Sequence, residues 1–413
     1  MTRTKQAGAF SLFFLLCFFL VTLPAAGEEF EYVHRPGDRY RILSVVNEEV
    51  YFNRQLHHSA EILNRIAVEV TDVINGKGLH RAIFQTSERA SEAPTVRGRT
   101  GAQSGFQWAR EYDSEFERDR LGYITIDPKY YMPVVRNVPV FPDRNLRPGE
   151  TWSADGHEMH DFRDGFGIEQ PYRIPFTAFY TFLGDRQWKG KTYPAFSVKY
   201  NIVSRPPSVR GQIWPRSITG LSDQIVYWDI ENGRPVAYEE TFNFAFELSD
   251  GTRIEYRGTA EAEIIESEPL DRDRITSEII EEIERLEIPD VSVRIVEEGI
   301  SISLENIGFY ADSSVMLPGE REKLELIAEI LKRYPDRDIM VSGHTALAGT
   351  SEGRMNLSIE RARAVTDFLL SRQVRSADRI VIRGYGAERP IADNSTEEGM
   401  SRNRRVEITI LEN

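Results

Sequence analysis

The stretch Thr241-Phe242-Asn243-Phe244-Ala245-Phe246-Glu247-Leu248 sets a large apolar side chain at every second position. A period of two puts those four residues on one face of an extended chain and their neighbours on the other, the pattern of a half-buried strand. Asn232-Gly233 precedes it and Asp250-Gly251 follows it, and both pairs tolerate the positive φ of tight primed turns. The stretch therefore predicts a strand over 236–248, joined through Asn232-Gly233 to another near Ile225–Ile230. Working outward, Ile66, Val68 and Val70 alternate with Ala67, Glu69 and Thr71, and Asn75-Gly76 marks a further hairpin. Helical periodicity is almost absent from Glu28 to Glu266, which predicts an all-β domain over 28–266. Ser87–Ser104 is polar and reads as a loop. Asp127–Trp152 carries Pro128, Pro133, Pro139, Pro142 and Pro148 and reads as an extended crossover or edge segment. A transmembrane barrel is the competing architecture, but the Pro-rich crossover and uneven spacing suit a sandwich-like domain better than regular staves of about ten residues.

Towards the C-terminus the period changes. Ile275, Ile279, Ile283 and Leu286 recur at helical spacing among acidic residues and stop before Pro289, which predicts an acidic amphipathic linker helix within 267–289. Beyond it, over 290–413, strands and helices alternate. Val291–Val296 and Ile300–Leu304 read as a hairpin, and Pro318 opens a helix burying Leu324, Ile327, Ala328 and Leu331. Ile339–Val341 is a strand, Leu357–Leu370 a helix, and Arg379–Arg383 and Val406–Leu411 two more strands. The fold class is thus α+β and multidomain, with a C-terminal β-α-β-α-β domain whose helices cover a mixed sheet.

The N-terminal 27 residues stand apart. Arg3 and Lys5, an apolar run from Ala9 to Leu23, and Pro24-Ala25-Ala26-Gly27 have the three-part layout of a secretory signal peptide, with the mature chain expected from about Glu28. The single cysteine, Cys17, lies inside that segment, so no disulfide or zinc–thiolate site is expected beyond it. With 51 Lys and Arg against 65 Asp and Glu, a net charge of −14, the composition argues against a nucleic-acid partner.

Few residues carry the spacing of a reaction centre. His157-x-x-His160 lies among Asp155, Glu158, Asp161, Asp164 and Glu169, but lacks metalloprotease or calcium-loop spacing and reads as a solvated loop. His57-His58 reads as surface and His344 as a structural hydrogen-bonding residue. Trp152, Trp188, Trp214 and Trp228 read as packing groups, with a sugar or lipid groove as the alternative. No nucleophile elbow, phosphate loop or dinucleotide fingerprint occurs, and neither a metal nor a cofactor is expected. Arg361 sits at the border of its helix's apolar stripe, where a guanidinium either reaches back to solvent or is held for an anion. Arg404 and Arg405 open the last strand and must point to opposite faces.

Four motifs occur in order: Gly343-His344-Thr345, Leu357-Ser358-x-x-Arg361-Ala362-x-x-Val365, Gly384-Tyr385-Gly386-x-x-x-Pro390, and Asn394 followed by Gly399 and Asn403-Arg404-Arg405-Val406-Glu407. Together they resemble the OmpA-like peptidoglycan-binding domain family, over about Ile300 to Asn413. The resemblance implies a non-catalytic grip on the peptide stem of peptidoglycan, by a periplasmic protein tied to the wall and outer membrane of a double-membrane bacterium. It implies that Arg361 and Arg404 take a stem carboxylate, with Thr345 and Asn403 as polar neighbours. A guanidinium fork pairs bidentately with a carboxylate, which supplies the chemistry. The β-rich region would face an outer-membrane or periplasmic protein partner.

The family's Asp after His-Thr, which takes the ammonium of the stem's diamino acid, is Ala346 here. Arg354 replaces an Asn that the family often carries. Loss of the acid removes a charge-assisted contact of roughly 1.5–3 kcal/mol, and Glu352 or Glu360 are candidates to replace it. The alternative that follows is a degenerate domain acting as a protein-interaction module without wall binding.

Overall fold

The computed structural model describes residues 27–92, 106–208, 213–265, 270–296, 298–305, 307–310 and 313–411. Apart from Gly27, the expected signal peptide lies outside the described residues. The N-terminal half contains β1 (Arg39–Phe52), β2 (Gln55–Ile74), β3 (Lys77–Glu92), β4 (Phe106–Arg118), β5 (Ile124–Ile126), β6 (Val135–Arg136) and β7 (Thr151–Phe162). It continues through a short helix α1 (Arg163–Phe166) to β8 (Ile168–Trp188), β9 (Lys191–Ser204), β10 (Pro215–Asp229), β11 (Arg234–Leu248) and β12 (Arg253–Ile265). The strand predicted over 236–248 is β11, with Phe242 opposite Gly258 and Phe244 opposite Tyr256 on β12. The expected loop at Ser87–Ser104 is corrected in its first part: Ser87 lies within β3, which runs to Glu92. Residues 93–105 lie outside the described residues.

These strands make one unbroken antiparallel ladder. It runs β5-β4-β3-β2-β1-β12-β11-β10-β9-β8-β7-β6, because β1 pairs with both β2 and β12. The ladder curls until its ends meet. Arg110 on β4 reaches Asp161 on β7 at 2.8 Å, and the Tyr112 hydroxyl donates to the same carboxylate at 2.9 Å. The proline-rich segment between β5 and β6 bridges the two edges, as the Met159 amide donates to the Val134 carbonyl at 2.8 Å. Inside the curl, Phe162 on β7 meets Phe246 on β11 with ring centroids 6.0 Å apart. A second aromatic core stops one end: Trp228, fully buried, packs on Phe141 at 4.7 Å and Tyr32 at 4.9 Å. Trp152 stacks on Tyr180 at 5.0 Å, so these tryptophans are packing groups.

The His157–His160 segment is corrected from loop to strand: it lies within β7 and pairs with β8. His160 Nε2 lies 2.8 Å from Glu158, which also accepts the Tyr200 hydroxyl at 2.8 Å. Both pair within the strand ladder, which is why an acidic, histidine-bearing stretch is ordered as sheet.

The C-terminal region holds α2 (Arg272–Arg285), β13 (Val291–Val296), β14 (Gly299–Leu304), α3 (Pro318–Lys332), β15 (Ile339–Gly343), α4 (Ser351–Ser371), β16 (Ile380–Gly384), α5 (Glu397–Asn403) and β17 (Val406–Leu411). The sheet order is β13-β14-β17-β15-β16, parallel only between β15 and β16. Its core is almost wholly aliphatic, with Ile300, Ile302, Leu304, Leu324, Ile327, Leu331, Val365 and Ile408 all fully shielded. The helix expected as a solvated linker is part of this core: Ile275, Ile279 and Ile283 of α2 are buried within it. An amphipathic pattern shows that a face is buried, not what buries it.

The two regions touch. Residues Phe106 and Gln107 of β4 pair in parallel with Val381 and Ile382 on the edge of β16. Arg383 lies 4.2 Å over the Trp108 ring, and Arg65 of β2 forms a buried ion pair with Asp338 at 2.9 Å. Among the described residues no helix is long and apolar enough to cross a membrane.

Candidate functional site

β15 and β16 run parallel, so the loops that follow them leave from the same end of the sheet. Both strands end in glycine because α4 lies directly on them. A Cβ on Gly343 would stand 1.9 Å from the Ser358 carbonyl oxygen, and one on Gly384 would stand 2.6 Å from Ser358 Oγ. Thr350 caps α4 by accepting the Gly353 amide at 3.1 Å. Ser358 Oγ donates to the Met355 carbonyl at 2.7 Å and accepts the Gly386 amide at 3.0 Å, fastening the helix to the second loop.

One turn beyond Ser358, Arg361 is only 8% exposed. Its Nε donates to the Ser313 carbonyl at 3.3 Å, and its guanidinium lies 5.0 Å over the Phe309 ring. Arg361 is therefore held between α4 and the segment before α3, not extended along the surface.

The loop after β15 is threaded between neighbours. The His344 amide donates to the Arg405 carbonyl at 3.0 Å, the Thr345 amide to the Gly386 carbonyl at 2.8 Å, and the Leu347 amide to Asn394 Oδ1 at 3.1 Å. Asn403, fully buried, donates Nδ2 to the same Asn394 oxygen at 3.0 Å and to the Ala392 carbonyl at 2.8 Å. Its Oδ1 accepts the Ile391 and Ala392 amides at 2.8 and 3.0 Å. The loop after β15 and Asn403 are thus joined through Asn394, which accepts from Leu347 and from Asn403. Thr345 Oγ1 is buried and finds no hydrogen-bond partner among the described residues. Ala346, where the resemblance implies an acid, is buried, while Glu352 and Glu360 are exposed on α4. Arg354 donates to the Gly349 carbonyl at 2.6 Å.

Arg404 and Arg405 do diverge. Arg404 reaches Glu397 of α5 at 3.0 Å. Arg405 is buried, donating to Glu407 at 2.7 Å and the Arg389 carbonyl at 3.0 Å. Burial pushes the Glu407 carboxyl up, but His344, Arg405 and Arg294 around it together outweigh burial and hold the group below its usual range. His344 departs from its expected hydrogen-bonding role: neither ring nitrogen has a hydrogen-bond partner among the described residues, and the ring stacks on Tyr385 at 5.1 Å. Burial, reinforced by Arg405, pushes its pKa down to about 3. Arg361 and Arg404 reach different partners, Ser313 and Phe309 for one and Glu397 for the other.

Two contributors, Ser358 and Asn394, stand inside the quoted motifs but received no role from the sequence. For Ser358 the available signal was a polar side chain on an otherwise apolar helix face, which implies a local hydrogen bond; Asn394 lies in the turn before α5. Among the described residues no group of three or more His, Cys, Asp or Glu is placed to hold a metal ion.

Comparison with known proteins bears on the same region. Residues 308–404 match the model described as the OmpA family. The chain is 38% identical over 104 residues to the peptidoglycan-binding protein ArfA of Mycobacterium tuberculosis, an alignment covering 25% of this chain and 32% of that protein. It is 38% identical over 121 residues to the probable lipoprotein YiaD of Escherichia coli, covering 29% and 55%. A solved outer membrane protein of Borrelia burgdorferi B31 is 35% identical, covering 29% of this chain and 96% of that one, with a TM-score of 0.25. The chain thus spans about a third to about half the length of these two curated relatives.

Proposed function

With residues 308–404 an OmpA-family domain, we propose that the chain is a non-catalytic cell-envelope protein whose C-terminal domain grips the peptide stem of peptidoglycan. The observation that carries this reading is Arg361, a nearly buried guanidinium on α4 that donates to the Ser313 carbonyl and lies over the Phe309 ring. Arg361 supplies the fork for a stem carboxylate, and Arg404 adds a second cation once it exchanges Glu397 for the ligand. Thr345 offers a buried hydroxyl to the same ligand. Asn403 acts by holding the two loops in register, since its amide is occupied by backbone and Asn394.

The protein lies in the periplasm in this reading, bound to the wall and linked to the outer membrane or a periplasmic partner through the β-rich region. That region, 28–266, acts as one unit whose opposed walls pack in a sandwich-like manner where Phe162 meets Phe246. Its outward positions on β9 and β10 include Lys199, Asn201 and Asp223, which suit water and not hydrocarbon. The C-terminal unit begins at α2.

The test is retention of the full mature chain on purified sacculi. Arg361→Ala, shown folded by circular dichroism, is expected to lose retention at least tenfold; unchanged retention counts against the reading. A second reading rests on Ala346: without the family acid, the domain serves as a protein-interaction module. Ala346→Asp separates the two. If the parent fails to bind sacculi and the substitution restores binding, the module reading stands.

A further inference from the structure

An unbroken line of contacts runs from the β-rich region to the loops of the candidate site. β16 ends the order of the C-terminal sheet, and β4 lies alongside it in parallel, with Phe106 opposite Val381 and Gln107 opposite Ile382. The backbone pairing stops there, and the next residue of each strand meets the other by its side chain. The Arg383 guanidinium lies 4.2 Å over the Trp108 ring. It also lies 4.6 Å over the Tyr385 ring, which Arg389 covers at 4.1 Å. Met340, Val381 and Leu411 form a small buried apolar cluster, and Trp108 packs against it.

Tyr385 is where this line enters the site. It is buried, its ring stacks on His344 at 5.1 Å, and its amide donates to the Gly343 carbonyl at 3.0 Å. The next residue, Gly386, accepts the Thr345 amide at 2.8 Å and donates its own amide to Ser358 Oγ at 3.0 Å. Tyr385 and Gly386 therefore tie the loop after β15, the loop after β16 and α4 to one another. The Tyr385 hydroxyl is buried and finds no hydrogen-bond partner among the described residues. The ring is thus placed by what lies against it, two guanidiniums and an imidazole. A guanidinium laid on an aromatic face is attracted by the ring and is weakly hydrated, so the contact costs little desolvation. Trp108 accordingly favours the Arg383 conformation that also covers Tyr385.

We propose that Trp108 of the β-rich region is a positioning residue for the C-terminal site: through Arg383 and Tyr385 it holds the loops after β15 and β16 in the arrangement that takes the peptide stem. The ligand in this statement rests on the wall-binding reading; the placement of the loops rests on the contacts above. The β-rich region then has a part in stem binding besides any partner of its own.

The test has two arms, both on the full mature chain. In the first, hydrogen exchange follows the Thr345, Tyr385 and Gly386 amides without ligand, with the amides inside β15 as the control. Trp108→Ala should speed the loop amides at least threefold and leave β15 unchanged. Trp108→Phe, which keeps a ring face, should restore the parent rates. In the second, calorimetric titration with a soluble tripeptide stem ending in a diamino acid should show at least threefold weaker binding in Trp108→Ala and in Arg383→Gln. The double variant should lose no more than the larger single loss, since both changes break one line of contact. Arg383→Gln carries both arms should Trp108→Ala fail to fold by circular dichroism. Unchanged loop exchange, equal speeding of β15, or fully additive losses would overturn the proposal. A parent that does not bind the stem sinks the wall reading instead, and the exchange arm alone then decides whether Trp108 positions the loops.

Discussion

The two regions solve the problem of closing a core in opposite ways. In the C-terminal domain, helices lie flat on a five-stranded sheet, the gap is narrow, and Ile, Leu and Val fill it with scarcely an aromatic ring. In the N-terminal region a single sheet must close on itself, so side chains reach across the curl and Phe, Tyr and Trp dominate the buried clusters. Large rings bridge a wide space but tile it unevenly. The lesson is that the flat layer is packed by aliphatic side chains and carries its candidate site on loops at one end, whereas the curled sheet depends on large rings that reach across it.

The comparison can be broken most severely at Trp228. Trp228→Ala removes the largest fully buried side chain and should cost roughly 3–5 kcal/mol, read as a lowered denaturant midpoint of the β-rich region. A loss under about 1 kcal/mol would mean that the aromatic stopper does not carry that region's stability.

Next is Ile279, which decides whether α2 belongs to the aliphatic layer. If it does, Ile279→Ala should destabilise the C-terminal unfolding transition by roughly 2–5 kcal/mol. If α2 is a solvated linker, the change should stay within about 0.5 kcal/mol, as for surface sites.

Acid should strain both regions. His80 and His344 are buried, and burial first, then Arg118 for one and Arg405 for the other, pushes each pKa down to about 3. The unfolded chain binds protons at these positions below about pH 6.5 while the folded chain does not. Stability is therefore fully present above that pH and falls, as pH drops towards 3, by up to about 1.4 kcal/mol per pH unit for each histidine. Chemical denaturation at pH 7, 5.5 and 4.5 measures this; His80→Phe should flatten the slope of the β-rich region, and an unchanged slope would show that His80 is not its source.

The smallest effect lies at the junction. Trp108→Ala removes the ring beneath Arg383 and should cost about 0.5–2 kcal/mol, visible as faster proteolysis between the regions. Unaltered proteolysis would leave the strand pairing and the Arg65–Asp338 pair as the effective ties.

What the sequence made legible follows from how local each signal is. Alternation at Thr241–Leu248 and the turn at Asn232-Gly233 gave β11 and its hairpin because period and turn chemistry are properties of adjacent residues. The curl was hidden, since it depends on Arg110 meeting Asp161 and Phe162 meeting Phe246 across the sheet. The destination of α2 was hidden for the same reason. In the candidate site, Arg361 and the glycines of Gly343 and Gly384 were readable as a set of spaced motifs. The occupation of the Asn403 amide by its own loops was not, because residue type alone does not distinguish a ligand contact from a clip.

The measurement closest to the central claim is calorimetric titration of the full mature chain with a soluble tripeptide stem ending in a diamino acid, beside folded Arg361→Ala. The account predicts saturable binding that weakens with salt and falls at least tenfold in the variant. Equal affinity of parent and variant would contradict it.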